Sequence, residues 1–267
     1  MLRIAIQAKG RLNEQSIGLL SEAGIGVAES KRKLISRADG FPMEVLYLRD
    51  DDIPQAVSMG VADLGIVGLN EVAEKGFPVE QIMDLGFGGC RLSLAVPKTT
   101  AYEGLAFFRG RRVATSYPNI LARYFAEKGI EAEIHTIEGS VEIAPAVGMA
   151  DGIFDIVSSG GTLISNGLVE VEKVLFSEAV LIACPGLDSD KRRETEQLTF
   201  RRLGPDDSFM LPPGMPHNVY LSEGTVLHTV KYGSTDVDWE AAPELDDQLR
   251  HETFDGKTFL TSEPSVK

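Results

Sequence analysis

Residues 152–163, GIFDIVSSGGTL, constrain this chain more than any other stretch. Ile153, Phe154, Ile156 and Val157 form an apolar run of the buried-strand kind. Ser158, Ser159, Gly160, Gly161 and Thr162 follow with almost no side-chain bulk, and Leu163 and Ile164 open an apolar, helix-like turn. A strand that passes through small residues into a helix is a unit of α/β architecture. It also makes an anion cradle, because small residues let the backbone come close and the first helical amides have no partner. Thr162 adds a hydroxyl donor. Asp155 is acidic and suits ribose hydroxyls or a hydrated cation beside a phosphate. An ordinary strand-to-helix turn capped by Ser or Thr uses the same residues, so the stretch alone leaves both readings open.

The rest of the chain repeats this alternation. Leu2–Gln7 reads as a strand, Leu12–Ala23 as a helix ended by Gly24, and residues 33–37 and 43–49 as a hairpin about Asp39-Gly40. Asp50–Asp52 begins a helix, Leu64–Val67 is a buried strand, and Asn70 opens another helix. Strands at Ile82–Phe87 and Arg91–Val96 follow. Beyond a crossing at Pro97–Gly110 come strand Arg112–Thr115, helix Pro118–Lys128, strand Ala132–Ile137, helix Val141–Val147 and strand Gly152–Val157. Val169–Phe176 and Ala179–Cys184 are strands that return the chain to its first half. Gly60-Val61-Ala62-Asp63 and Gly148-Met149-Ala150-Asp151 each precede a buried strand, an internal echo that fits two lobes of related design with a ligand between their strand ends. The expectation is an α/β fold with mostly parallel sheets. Lobe I spans 1–97 and 177–202, lobe II spans 98–176, and a β-rich tail covers 203–267.

Charge limits the partners. Residues 1–202 hold 22 Lys and Arg against 28 Asp and Glu, and residues 203–267 hold 4 against 12. Such a surface repels nucleic acid and anionic membranes, so neither is expected as a partner. No apolar run reaches the length of a membrane span, and the N-terminal apolar stretch is too short for a signal peptide. Cys90 and Cys184 have no CxxC spacing, which fits a reduced, cytoplasmic location. His135, His217, His228 and His251 are scattered, no metal motif is present, and no nucleophilic triad stands out.

A polyphosphate ligand would then need local cations. Lys9, Arg11, Arg49 and Arg91 lie at strand or loop ends of the first half; each could instead be a solvated charge or an ion pair. Ser116 and Tyr117 follow a strand and precede a helix with Pro118 at an early position, either as a second anion-type start with Tyr117 against a base, or as a plain cap.

Taken together the residues resemble a family. Residues 142–163, EIAPAVGMADGIFDIVSSGGTL, are similar to the signature of ATP phosphoribosyltransferase, the first enzyme of histidine biosynthesis. KGRL at 9–12, LRDDDIP at 48–54, ADLGIVGLN at 62–70, GFGGCRLSLAVP at 86–97, ATSYPN at 114–119 and SEAVLI at 177–182 fit in order, so the resemblance covers about residues 1–202.

The resemblance implies two lobes like type II periplasmic binding proteins, with the active site in the cleft. It implies condensation of ATP with phosphoribosyl pyrophosphate, giving N1-(5-phosphoribosyl)-ATP and pyrophosphate, with Mg²⁺ brought by the substrate. Asp155, Ser158, Ser159, Gly160, Gly161 and Thr162 would take the ribose 5-phosphate, with Glu142 near the ribose. Lys9, Arg11, Arg49, Asn70, Glu71, Ser116 and Tyr117 would surround ATP, with Arg91 a further candidate. Lys9, Arg49, Glu142 and Asp155 would carry the catalytic contacts. A homo-oligomer and a regulatory subunit resembling histidyl-tRNA synthetase are the implied partners. Residues 203–267 match neither ending of the family; PPGMPH at 212–217 and EGTVLHTVKYG at 223–233 resemble the second half of a cupin barrel, with His217 in the ligand position. The alternative function is a non-catalytic cytosolic sensor of small anions or nucleotides built on the same lobes.

Overall fold

The structure is a computed structural model that describes residues 1–27 and 34–197. The expected tail at 203–267, with its cupin-like segments, lies outside the described residues, as does the start of the first hairpin strand. The elements are β1 (Leu2–Gln7), α1 (Arg11–Glu22), β2 (Gly26–Val27), β3 (Ile35–Asp39), β4 (Met43–Leu48), α2 (Ile53–Ser58), β5 (Leu64–Gly68), α3 (Leu69–Lys75), β6 (Glu80–Asp84) and β7 (Cys90–Pro97). They continue with β8 (Arg112–Thr115), α4 (Pro118–Lys128), β9 (Glu133–Thr136), β10 (Gly152–Val157), α5 (Gly161–Ser165), β11 (Leu168–Ser177), β12 (Ala179–Ala183) and α6 (Ser189–Gln197).

The strands form two sheets, β2-β3-β4-β1-β5-β12-β6 and β11-β7-β10-β8-β9. Parallel pairing makes the middle of the first, β4-β1-β5, and one end of the second, β10-β8-β9. Antiparallel strands extend the first sheet at both edges and the second on the β7 and β11 side alone, where short hairpins and return strands replace helical crossovers, so the sheets are mixed. In the first sheet Leu2, Ile4 and Ile6 face a core shared with Leu20 and Ile25, while Ala5 faces Ile53 and Val57 of α2. Alternation along the strand thus buries both faces. Gly65 lets α2 come that close, since a Cβ there would meet Ile53 Cγ2 at 2.8 Å. In the second sheet Leu92, Leu94 and Phe154 pack with Phe108, Leu121 and Phe125 on one face, and Ala95, Ile153 and Val157 pack with Val141 and Leu163 on the other.

The internal echo has a structural counterpart. Asp63, just before β5, accepts a hydrogen bond from the Arg3 amide at 2.8 Å and donates its own amide to the Arg3 carbonyl at 2.9 Å. Asp151, just before β10, does the same with Arg112, at 3.0 and 2.8 Å. In each lobe the Gly-x-Ala-Asp step ties the start of a strand to its parallel neighbour, which explains why this sequence occurs twice.

Four expectations need correction. Strand β7, assigned above to the end of lobe I, pairs with β10 and β11 and belongs to the second sheet. The chain crosses between the sheets at residues 85–89, and the return is made by β12 alone, β11 remaining in the second sheet. Strand Ile82–Phe87 is shifted to Glu80–Asp84, because Gly86 and Gly88, at φ 71° and 68°, break the extended run. The helix expected at Val141–Val147 is a 3-10 turn at Val141–Ile143 followed by turns. Pro145 has no amide to donate, so a regular ladder cannot pass through it.

Candidate functional site

The topology gathers the candidate residues. In an open α/β sheet, ligands bind beyond the carboxyl ends of the parallel strands. In the first sheet β1 runs out into Lys9 and Arg11, β4 into Arg49 and the acidic turn Asp50–Asp52, and β5 into Asn70 and Glu71. In the second sheet β8 runs out into Ser116 and Tyr117, and β10 into Ser158–Thr162. The Ala8 amide donates to the Leu48 carbonyl at 2.7 Å, which sets the Lys9 loop beside Arg49. Lys9, Arg11 and Arg49 are exposed, and the Arg49 side chain leans on Asp51 at 3.4 Å.

Asn70, Glu71 and Tyr117 come together, but as a buried polar network between the lobes. Each is at most 7% exposed. The Asn70 amide donates to Ser177 Oγ at 2.9 Å, and Ser177 Oγ donates back to Asn70 Oδ1 at 2.8 Å. Asn70 Nδ2 donates to Glu71 Oε1 at 2.9 Å and to Tyr117 Oη at 3.2 Å, while Tyr117 Oη donates to Glu71 Oε1 at 2.9 Å. Burial pushes the Glu71 carboxyl above its ordinary range; the Tyr117 bond pulls it back, and Asp50 and Asp51 nearby push it up further. Burial and the Glu71 charge likewise raise the Tyr117 hydroxyl. The Tyr117 ring packs with Ile120, Leu121 and Phe154, so in this conformation it is a joint between lobes rather than an open platform for a base. Ser116 Oγ donates to the Ile137 carbonyl at 2.7 Å and ties the ends of β8 and β9 together.

The second-lobe end of the site is acidic where the sequence expects it. Asp155 lies in the middle of the apolar face formed by Ile153, Val157 and Ala95. Its pKa is pushed up to about 6, by burial first and also by the Glu142 charge, against a hydrogen bond from the Ile156 amide. Glu142 therefore stands close to Asp155, on a turn set by Ser140 in the left-handed region at φ 52°. Asp155 in turn adds to the upward push on Tyr117, which connects the two ends of the site. Among the described residues no three His, Cys, Asp or Glu side chains group to hold a metal by themselves. Ser158–Thr162 forms an exposed bend after β10, and Gly160 at φ 83° turns the chain into α5. That helix is a single turn, so the donors on offer are its first amides and hydroxyls rather than a sizeable dipole.

Several residues of the site carry no signal in the sequence. Glu74 accepts the Asn119 and Ile120 amides, both at 2.9 Å, and so caps α4 from the other lobe. Glu170 grips Arg91 and Ser93. Ser177 closes the buried network. A charged residue in the middle of a strand, as Glu170 is in VEVEKV, was the available hint.

The pattern of the ATP phosphoribosyltransferase family matches residues 49–203. The chain belongs to that family. The ATP phosphoribosyltransferase of Parabacteroides distasonis is 57% identical over 201 residues, which cover 75% of this chain and 71% of the relative. Among solved structures, the ATP phosphoribosyl transferase (HisG:HisZ) complex from Thermotoga maritima superposes at a TM-score of 0.64 with 30% identity, covering 73% of this chain and 94% of that one. An ancestral amino-acid-binding protein, AncCDT-1, superposes at 0.50 with 16% identity over 74% of this chain and 87% of its own. That last likeness speaks for the two-lobed fold alone. No helix among the described residues is long and apolar enough to cross a membrane.

Proposed function

We infer that this chain is an ATP phosphoribosyltransferase, joining ATP and phosphoribosyl pyrophosphate into N1-(5-phosphoribosyl)-ATP and pyrophosphate at the start of histidine biosynthesis. Family membership carries the activity. The convergence of the strand ends of both sheets supports the placement of the two substrates. Adenine N1 already has a neutral lone pair, and C1 of the ribose carries a good leaving group, so neither a strong base nor a nucleophilic side chain is required. The work left to the protein is alignment and neutralisation of charge.

Ser158–Thr162 holds the 5-phosphate through backbone amides and the Thr162 hydroxyl. Glu142 and Asp155 lie along the ribose. Their mutual repulsion is what a divalent cation relieves, so Mg²⁺ brought in on the pyrophosphate fits beside them. Lys9, Arg11 and Arg49 neutralise the ATP phosphates from the first lobe. Asn70, Glu71 and Tyr117 act from the joint between the lobes, with Ser116 beside them at the end of β8, and meet ATP once the lobes rearrange around it. The chain works in the cytoplasm as a homo-oligomer, and its likeness to the Thermotoga maritima HisG:HisZ complex supports a second, HisZ-type subunit as partner. The test is pyrophosphate release by the purified protein, alone and with that subunit. Release is expected only when ATP, phosphoribosyl pyrophosphate and Mg²⁺ are all present. Release that does not depend on ATP would contradict the reading.

A further inference from the structure

The strongest unassigned device is an ion pair beneath the phosphate cradle. Arg91 sits opposite Val157 and Ser93 opposite Asp155 on the antiparallel neighbour β7, so all four side chains share one face of the second sheet. Glu170 reaches this face from the edge strand β11. The pair is bidentate: Arg91 Nε donates to Glu170 Oε1 at 2.5 Å and one terminal nitrogen donates to Oε2 at 2.6 Å. Ser93 Oγ donates to the same Oε1 at 2.7 Å. Both charged side chains are about one-fifth exposed, at 22% and 20%. A fork held at two points has one geometry, unlike a solvated surface pair. The guanidinium has a donor left over, Nη1, which reaches the Ser158 carbonyl at 3.1 Å.

That third bond falls on the first peptide of the cradle. A trans peptide is planar, with its C=O and N–H pointing in opposite directions. Holding the Ser158 carbonyl toward Arg91 therefore turns the Ser159 N–H the other way, off the sheet face. A loop of Ser and Gly has little else to choose its orientation, since few side chains restrict it.

We propose that Glu170, through Arg91, is a positioning residue for phosphoribosyl pyrophosphate: it fixes the Ser158–Ser159 peptide so that the cradle presents its amide to the 5-phosphate. Arg91 then belongs to the pyrophosphate-donor side of the site and not to the ATP side. The reading of Ser158–Thr162 as the phosphate cradle, given above, is assumed by the kinetic part of the test but not by the structural part.

The test uses Glu170→Gln and Arg91→Lys in the full-length protein. Glu170→Gln keeps size and polarity but loses the charged fork. Arg91→Lys keeps the charge but cannot span Glu170 and Ser158 together. Crystal structures of the free variants should show the Ser158–Ser159 peptide in more than one orientation over unchanged sheets. Steady-state kinetics should show the KM for phosphoribosyl pyrophosphate raised about tenfold, the scale of one bond to a charged group, with the KM for ATP little changed. An unaltered peptide in both variants would overturn the proposal. So would equal losses toward both substrates accompanied by a lower Tm, which mark a purely structural pair. A peptide that loses its orientation while the KM for phosphoribosyl pyrophosphate stays put would uphold the pinning and instead refute the cradle assignment.

Discussion

At Asp155 the role proposed above and the stability of the fold pull in opposite directions. Its carboxyl, ordinarily at 3.8, is pushed up to about 6 in the folded protein by burial and by Glu142. Between those values the folded protein binds more protons than the unfolded chain, so stability falls as pH rises through that window, and the cost is fully present above it. Asp155→Asn should raise stability by on the order of 2 kcal/mol above about pH 6 and give no gain below about pH 4. Thermal unfolding across that range, run beside activity assays that should show a large loss, checks both halves; a gain that is independent of pH would mean the carboxylate is not strained. Thr162→Val removes one hydroxyl at nearly constant volume. It should cost about 1.5–3 kcal/mol in kcat/KM for phosphoribosyl pyrophosphate and leave the KM for ATP unchanged; unaltered kinetics would take Thr162 out of the cradle.

The elements that hold the site differ in how far they can be read in advance. Strands β8 and β10 and helix α4 fall at the residues their sequences indicate, because apolar alternation, Pro118 at the start and Gly129 after the end are all local signals. The turn at 141–149 and the shift of β6 were not legible, since Pro145 and the glycines at 86 and 88 override an apolar pattern that otherwise suits a helix or a strand. Glu74 and Glu170 were hidden for another reason: their partners lie 45 and 79 residues away in the chain, beyond the reach of periodicity. Glu74 offers a direct test at this scale. Its carboxylate satisfies two orphan amides at the start of α4, so Glu74→Ala should cost about 1–2 kcal/mol, read as a lower midpoint in denaturant with an unchanged slope. An unshifted midpoint would mean that water serves the helix start equally well.

At the scale of the described residues as a whole, the two sheets meet through Asn70, Glu71, Tyr117 and Ser177, and in the function proposed above the same joint lies between the ATP side and the phosphoribosyl side. Tyr117→Phe strips Glu71 of a donor inside a buried network. It should destabilise the protein by about 1–3 kcal/mol and weaken the use of both substrates together, in contrast to Thr162→Val; calorimetry and paired KM values distinguish the two. The two-lobed architecture and the list of strand-end residues were legible because each lobe repeats one strand–turn–helix plan. The closed state of Asn70, Glu71 and Tyr117 was not, because burial between lobes depends on how two separately readable halves pack. The central claim is that these halves align adenine N1 with C1 of the ribose for direct displacement. Nuclear magnetic resonance of the product formed by the purified enzyme with ATP, phosphoribosyl pyrophosphate and Mg²⁺ tests it most directly. The account predicts N1-(5-phosphoribosyl)-ATP with C1 inverted from α to β, formed in step with pyrophosphate. Retention at C1, or a folded protein that binds both substrates yet forms no adduct even with the partner subunit supplied, would contradict it.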